Sequence, residues 1–453
     1  MYSPTRRTFI RQAACAALGT SGLLTTIFDL RKISAATFAS SGDYKALVCL
    51  FLYGGNDANN VLIPHDTAGY NSYAAARDIL AIPKASLLPL TLQAGDGRDF
   101  AFHPSLPELR TLFNNGKLAM VTNVGTLVAP VTRAEYLAHT AAVPPQLFSH
   151  ADQSVQWQTS WPDQPQRTGW GGRTADLLHS LNGNSQISLT ISIAGTNTFE
   201  IGNTVIPYSV SPDGSIGLAG FNGSANANVR LQAFKDLLAQ PHNNLFEQAY
   251  ADTVTRSIAD NDLLTIALAG TPALTTQFPD TDLGNQLNMV ARLISARNNL
   301  GMRRQIFFCS VQGYDTHGDQ LSAQSGLLVE LSQAMNAFYS ATIEMGAEQE
   351  VTTFTASDFG RTFPTNGTGS DHGWGSHQFV MGGAVHGGRL FGKFPTLAVN
   401  GPDDTGQGRW IPTTAVDEYS ATLATWFDVT PSDLAAVFPN IGRFANPNMG
   451  FIG

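Results

Sequence analysis

An α/β fold on a mainly parallel central sheet is predicted from three features of this chain. Continuous apolar runs have strand length, helical periodicity separates them, and acidic residues stand where several runs end. The runs are KALVCLFLYGGND, GKLAMVTNVG, RQIFFCSVQGYDTH and VTTFTASDFGRT. Strands apolar on both faces must be covered on both faces, which is the condition of a parallel sheet between helical layers. GNQLNMVARLISARNNLG places Leu287, Val290, Leu293 and Ile294 on one helical face. SGLLVELSQAMNAFYSATIEMG does the same with Leu328, Leu331, Met335 and Phe338, and VDEYSATLATWFDV reads as a closing helix. Residues 186–225 alternate in β fashion between turn residues and read as a small antiparallel β insertion or an edge ribbon. No repeat or long linker divides the chain, so residues 40–453 read as one domain.

The 453 residues are 43% hydrophobic and only 13% charged, well under the usual share of roughly a quarter. SPTRRTFIRQAACAALGTSGLLTTIFDL sets Arg6 and Arg7 before an apolar stretch rich in small residues, and KISAATFAS supplies residues suited to cleavage. This is the pattern of a twin-arginine signal peptide over residues 1–36. It predicts handling by the twin-arginine (Tat) translocation machinery and a periplasmic or extracellular destination. Asp29, Arg31 and Lys32 interrupt the apolar stretch, so no stable membrane anchor is expected. The leader holds five of the 26 basic residues and one of the 35 acidic ones, leaving 21 against 34 and a net charge of −13. So acidic a body excludes nucleic acid as the expected partner. Cys15 lies in the leader, and Cys49 and Cys309 sit in apolar runs, which fits buried free thiols and excludes a disulfide scaffold.

Three of the apolar runs end near Asp57, Asp315 and Asp358. Ligands of open α/β sheets bind outside the carboxyl ends of the strands, so these acids are expected to converge. In GYDTHGDQ, Asp315 and His317 are two residues apart and share one side of an extended segment, making half of a divalent-cation site or a polar turn. SDFGRTFPTNGTGSDHGWGSH adds Asp358, Arg361, Asp371 and His372. Carboxylate and imidazole ligands drawn from separate turns build hydrolytic metal sites. Arg361 matches an oxyanion with paired donors or forms a salt bridge to Asp358. Asp371 suits an orienting partner for a histidine. In FSHADQSVQWQTSW, Ser149 opens a helix, as a nucleophile in a positive field or as a simple N-cap. The chain beyond the leader lacks the G-x-S-x-G elbow, the H-E-x-x-H helix and the phosphate-binding P-loop.

The twin-arginine start, LFLYGGNDANNVLIP, FSHADQSVQWQTSW, GWGGRTADLL, GYDTHGDQ and the SDFGRT to GSDHGWGSHQFVMGGAVHGG region resemble the exported bacterial domain-of-unknown-function family 1501 (DUF1501). That family is grouped with the alkaline phosphatase and sulfatase superfamily, so the resemblance implies an alkaline phosphatase-like α/β/α sandwich with metals at the carboxyl edge of its sheet. TASDFG…GSDHG is similar to the superfamily's T-A-D-H-G…T-D-H pattern. By that similarity Asp57 and Asp358 serve one metal, Asp315, His317 and His372 serve another, Ser149 is the nucleophile and Arg361 holds the oxyanion. Phe359 departs from the pattern, standing where the superfamily has a histidine ligand. The implied function is a secreted metal-dependent hydrolase of phosphate or sulfate esters. It would take a small anionic ester and use divalent ions, Zn, Mg, Ca or Mn. The alternative is a non-catalytic exported ligand-binding or accessory protein on the same fold.

Overall fold

The four apolar runs are strands of one sheet in the computed structural model, which describes residues 44–453 except 95–96, 216, 219 and 222–223. Its main strands are β1 (Lys45–Leu52), β2 (Leu118–Gly125), β3 (Thr190–Ser192), β4 (Tyr208–Ser211), β5 (Arg304–Val311), β6 (Val351–Ser357) and β7 (Ser376–Gly382). They lie in the order β2-β7-β6-β1-β5-β3-β4. Every neighbouring pair from β6 to β4 is parallel, and β7 runs antiparallel to both β6 and β2. The mixed α/β class and the mostly parallel sheet match the expectation.

The uniform apolarity of β1 is explained by two cores. Ala46, Val48, Leu50 and Leu52 enter one, while Leu47, Cys49 and Phe51 enter the other. Fully burying each Leu or Phe is worth ~1.5–3 kcal/mol, so both faces hold the strand in place. The first core is capped by α3 (Asp282–Ser295) and α4 (Gln320–Glu344), which bury Leu287, Val290 and Ile294, and Leu328, Leu331, Met335 and Phe338. The second is covered by α1 (His150–Thr159), α2 (Trp170–Leu178) and α5 (Val416–Trp426), through Trp157, Trp170 and Tyr419. The layers are helix, sheet, helix.

Residues 186–225 lie at the sheet edge, one of the two expected places, but they join it in parallel rather than as an antiparallel insertion. Ile191, Ile193 and Val210 belong to the first core, so β3 pairs in parallel with β5, and β4 in parallel with β3. Only Gly214–Ser215 turns back antiparallel, against β4. Burial on the sheet decided the pairing that local alternation left open. Cys49 and Cys309 are free and buried. The predicted leader, residues 1–36, lies outside the described residues. Among those residues no helix is long and apolar enough to cross a membrane.

Leu52 pairs with both Ser357 and Val311, so β6, β1 and β5 finish level and send their loops from one edge. The loops cross tightly there. Gly54 has φ +113, and a Cβ on it would stand 2.3 Å from the Asp315 backbone nitrogen. Only glycine fits that crossing.

Candidate metal centre

The loop after β6 doubles back on itself. Arg361 bridges His372 in antiparallel fashion, and the Thr362 N–H donates to the Asp371 carbonyl at 2.8 Å. Gly360 allows the fold, because a Cβ there would meet the Gly375 carbonyl at 2.2 Å. His372 is thereby carried back towards Asp358. The loop after β5 brings Asp315 and His317 alongside, and the first turn of α1 supplies His150.

Four ligand-type atoms meet at this point. The Asp315 carboxylate Oδ1 lies 3.4 Å from His150 Nε2, 3.4 Å from His372 Nε2 and 3.1 Å from His317 Nε2. His372 Nε2 lies 3.1 Å from His150 Nε2 and 2.9 Å from His317 Nε2. Nitrogen and oxygen ligands about 2.0–2.1 Å from a tetrahedral Zn²⁺ stand ~3.3 Å apart, which is the spacing of His150, Asp315 and His372.

The tautomers follow from the other ring nitrogens. His150 Nδ1 lies 2.7 Å from Asp358 Oδ2, His317 Nδ1 3.2 Å from Asp371 Oδ1, and His372 Nδ1 2.7 Å from the Phe148 carbonyl. All three partners are acceptors, so each neutral imidazole carries its hydrogen on Nδ1 and turns the Nε2 lone pair inward. Three lone pairs and a carboxylate oxygen facing one another repel. One added proton bridges a single pair, whereas a divalent cation satisfies His150, Asp315 and His372 together, with His317 beside the last two. The residues therefore fit a metal ion, and the partners on Nδ1 are of the kind that orient metal-bound histidines.

Local electrostatics shift the groups of this cluster in different directions. Burial opposes ionisation of Asp315, but the hydrogen bond and charge of Arg361 outweigh it and hold the carboxyl below its usual range. Hydrogen bonding to the Asp358 carboxylate raises His150, whereas burial lowers His372. Phe359 is fully buried, with its ring 4.8 Å from that of His150 and 4.7 Å from that of His372. It stands at the position where the family resemblance leads one to expect a histidine, and its ring packs against both imidazoles.

Of the residues expected at the centre, Asp315, His317 and His372 are brought together, and three others have different surroundings. Asp57 is buried with its carboxylate bonded to Arg77 and Gln320, and it also caps the Asn59 N–H at 3.2 Å. A guanidinium with no solvent exposure needs that counter-charge, and Asp57 stands in a closed ion pair with it. Asp358 Oδ2 contacts His150 Nδ1 and accepts the Gly54 N–H at 3.1 Å, leaving its Oδ1 buried without a partner among the described residues. Ser149 is the N-cap of α1, its hydroxyl 2.5 Å from Asp152 Oδ2. Arg361 has no side-chain exposure and spends its donors on Asp315 at 2.7 Å, the Gly54 carbonyl at 3.2 Å and Ser370. None of its nitrogens is left for an external oxyanion. His150 is the ligand-type residue of this cluster that reading the sequence did not single out. Its signal was its place beside Ser149 in FSHADQ. His377, in the same motif as His372, lies in the core on β7, where burial pushes its ring down to about 3.

Comparison with known proteins adds distant structural likenesses. A PsFucS1 sulfatase from Pseudoalteromonas sp. aligns at 11% identity over 90% of this chain and 73% of its own, with a TM-score of 0.35. The lipoteichoic acid synthase LtaP from Listeria monocytogenes aligns at 8% identity over 90% and 80%, with a TM-score of 0.37. The C-terminal periplasmic domain of EcEptC from Escherichia coli, in a complex with Zn, aligns at 10% identity over 91% and 92%, with a TM-score of 0.34. No curated protein matches the sequence. A family profile covers most of the chain, residues 44–409, and the protein therefore belongs to the family described as "Protein of unknown function (DUF1501)".

Proposed function

We propose that this protein is an exported, metal-dependent hydrolase of phosphate or sulfate esters, with His150, Asp315, His317 and His372 holding the ion. One observation carries the proposal: three imidazoles whose Nδ1 atoms are committed elsewhere turn their Nε2 lone pairs towards one carboxylate oxygen. A donor set of three nitrogens and one oxygen suits Zn²⁺ or Mn²⁺ better than Ca²⁺ or Mg²⁺, which prefer oxygen. When bound, such an ion supplies Lewis acidity at an ester oxygen.

The chain's own residues do the rest. Asp358, Asp371 and the Phe148 carbonyl fix the three rings, Arg361 pins the Asp315 carboxylate, and Phe359 blocks rotation of His150 and His372. Ser149, held by Asp152, keeps a capping role, and in this reading the attack on the ester falls to water. Protein expressed with its leader and recovered after export is expected to carry near-stoichiometric zinc or manganese and to hydrolyse an aryl phosphate or an aryl sulfate. Replacing Arg6 and Arg7 by lysine is expected to block export. Folded protein recovered free of metal, and inert when zinc or manganese is added, would rule the proposal out.

A second reading is a non-catalytic exported ligand-binding or accessory protein. The inward engagement of both Ser149 and Arg361 favours it. Its mark is full metal content without turnover of either ester.

A further inference from the structure

We infer that Arg409 is the residue that receives the charged oxygens of the substrate, so that the centre selects tetrahedral oxyanion esters. This assignment rests on the proposed metal-dependent hydrolase and specifies how that site recognises its ligand.

A cation centre next to three carboxylates, Asp315, Asp358 and Asp371, needs a further positive group before it attracts an anion. Arg361 is fully buried and spent on internal acceptors. Arg409 differs in each respect. Its Nε–H donates to the backbone carbonyl of His372 at 2.8 Å, which places its guanidinium beside the main chain of that histidine. Its Cζ sits 4.2 Å from the ring centre of Phe148, whose carbonyl holds the Nδ1 of that same histidine. The side chain is half-buried, and its two terminal nitrogens meet no hydrogen-bond acceptor among the described residues.

The planar head is thus fixed at one nitrogen and on one face, while the paired donors that match two oxygens of a phosphate or sulfate stay open. Stacking and the Nε bond remove rotamer freedom beforehand, so little order is lost on binding. Asp404 helps set the position of the residue by accepting the Arg409 backbone N–H at 3.0 Å. Arg409 was not among the candidates read from the sequence. In GQGRW it has the look of an ordinary loop arginine.

The test is calorimetric titration of inorganic phosphate, and separately of sulfate, into zinc-loaded wild type, Arg409→Gln and Arg409→Lys, with metal content measured on each. Loss of hydrogen bonds to a charged group predicts ~10–100-fold weaker oxyanion binding in Arg409→Gln. Metal content is expected to stay unchanged, and Arg409→Lys to recover part of the affinity. The arm that binds more tightly in wild type identifies the ester class. Equal oxyanion binding in metal-loaded wild type and Arg409→Gln overturns the assignment while leaving the metal centre standing. Zinc-loaded wild type that binds neither anion also overturns it. Loss of metal in Arg409→Gln makes the residue a structural brace of His372 and overturns it as well. Wild type that takes up no zinc removes the proposed hydrolase, and this inference with it.

Discussion

Two groups of titratable side chains lie along the same edge of the sheet, and they differ in where their polar atoms point. Around Asp57 every strong group is answered internally. The carboxylate takes Arg77 and Gln320, and Arg77 also donates to the Phe363 carbonyl at 2.9 Å and the Thr362 carbonyl at 3.1 Å. Around Asp315 the same kinds of group leave lone pairs facing a common point, and the Asp315 side chain is 43% exposed. The first arrangement fastens the loop after β1 to the loop after β6. The second fits a cation. An acidic residue at a strand end therefore marks a site only when its partners leave part of it unsatisfied.

The comparison breaks most visibly under substitution. Asp57→Asn leaves Arg77 charged and without solvent exposure, which costs ~3–5 kcal/mol for a broken buried pair. Denaturant unfolding is expected to show that loss, while the folded variant keeps its metal. Retained stability together with lost metal would place Asp57 at the centre after all. Asp358→Asn is expected to do the reverse. Weakening the partner of His150 Nδ1 lowers metal affinity ~10–100-fold, measured by competition with a chelator, because it disturbs a histidine ligand from behind.

A smaller effect comes from a group remote from the centre. Glu200 is fully buried, with Asn197 donating to one carboxylate oxygen at 2.8 Å. Burial pushes its carboxyl up to about 8, despite partial relief from Asn197. Between its ordinary value near 4.5 and about 8, the folded chain keeps a proton that the unfolded chain releases. Its contribution to stability is full at the acid end and is lost as pH rises through about 8. His103 and His377 act in the opposite sense. Burial lowers them to about 4 and about 3, so stability falls as pH drops below the ordinary histidine value of 6.5. Thermal melts of Glu200→Gln across this range are expected to lose the alkaline decline and keep the acid one. An unchanged alkaline slope would mean that Glu200 is not its source.

Much of the fold was legible because its signals are local. Apolar runs covered on two faces give β1, β5 and β6, and the spacing of Leu287, Val290 and Ile294 gives α3. The pairing of residues 186–225 was not, since a β-prone run carries no mark of whether its neighbour is the main sheet or its own hairpin. At the centre, Asp315 and His317 were visible as a spaced pair and His372 as part of a glycine-rich loop. The role of Asp57 was not visible, because Arg77 lies in an unremarkable helix twenty residues on and nothing local announces the pairing. His150 was overlooked for a related reason. One histidine at a helix start looks ordinary until folding carries it to Asp315, and attention fell on the neighbouring hydroxyl. Phe359 reads as a lost ligand in sequence and as a brace for two histidine rings in three dimensions.

Titration of Zn²⁺ into metal-stripped protein, followed calorimetrically for wild type, His150→Ala and Asp57→Asn, tests the convergence most directly. About one ion per chain is expected to bind wild type and Asp57→Asn, and affinity is expected to collapse in His150→Ala. Correctly folded wild type that takes up no ion, or a His150→Ala variant that binds as tightly as wild type, would contradict the proposed centre.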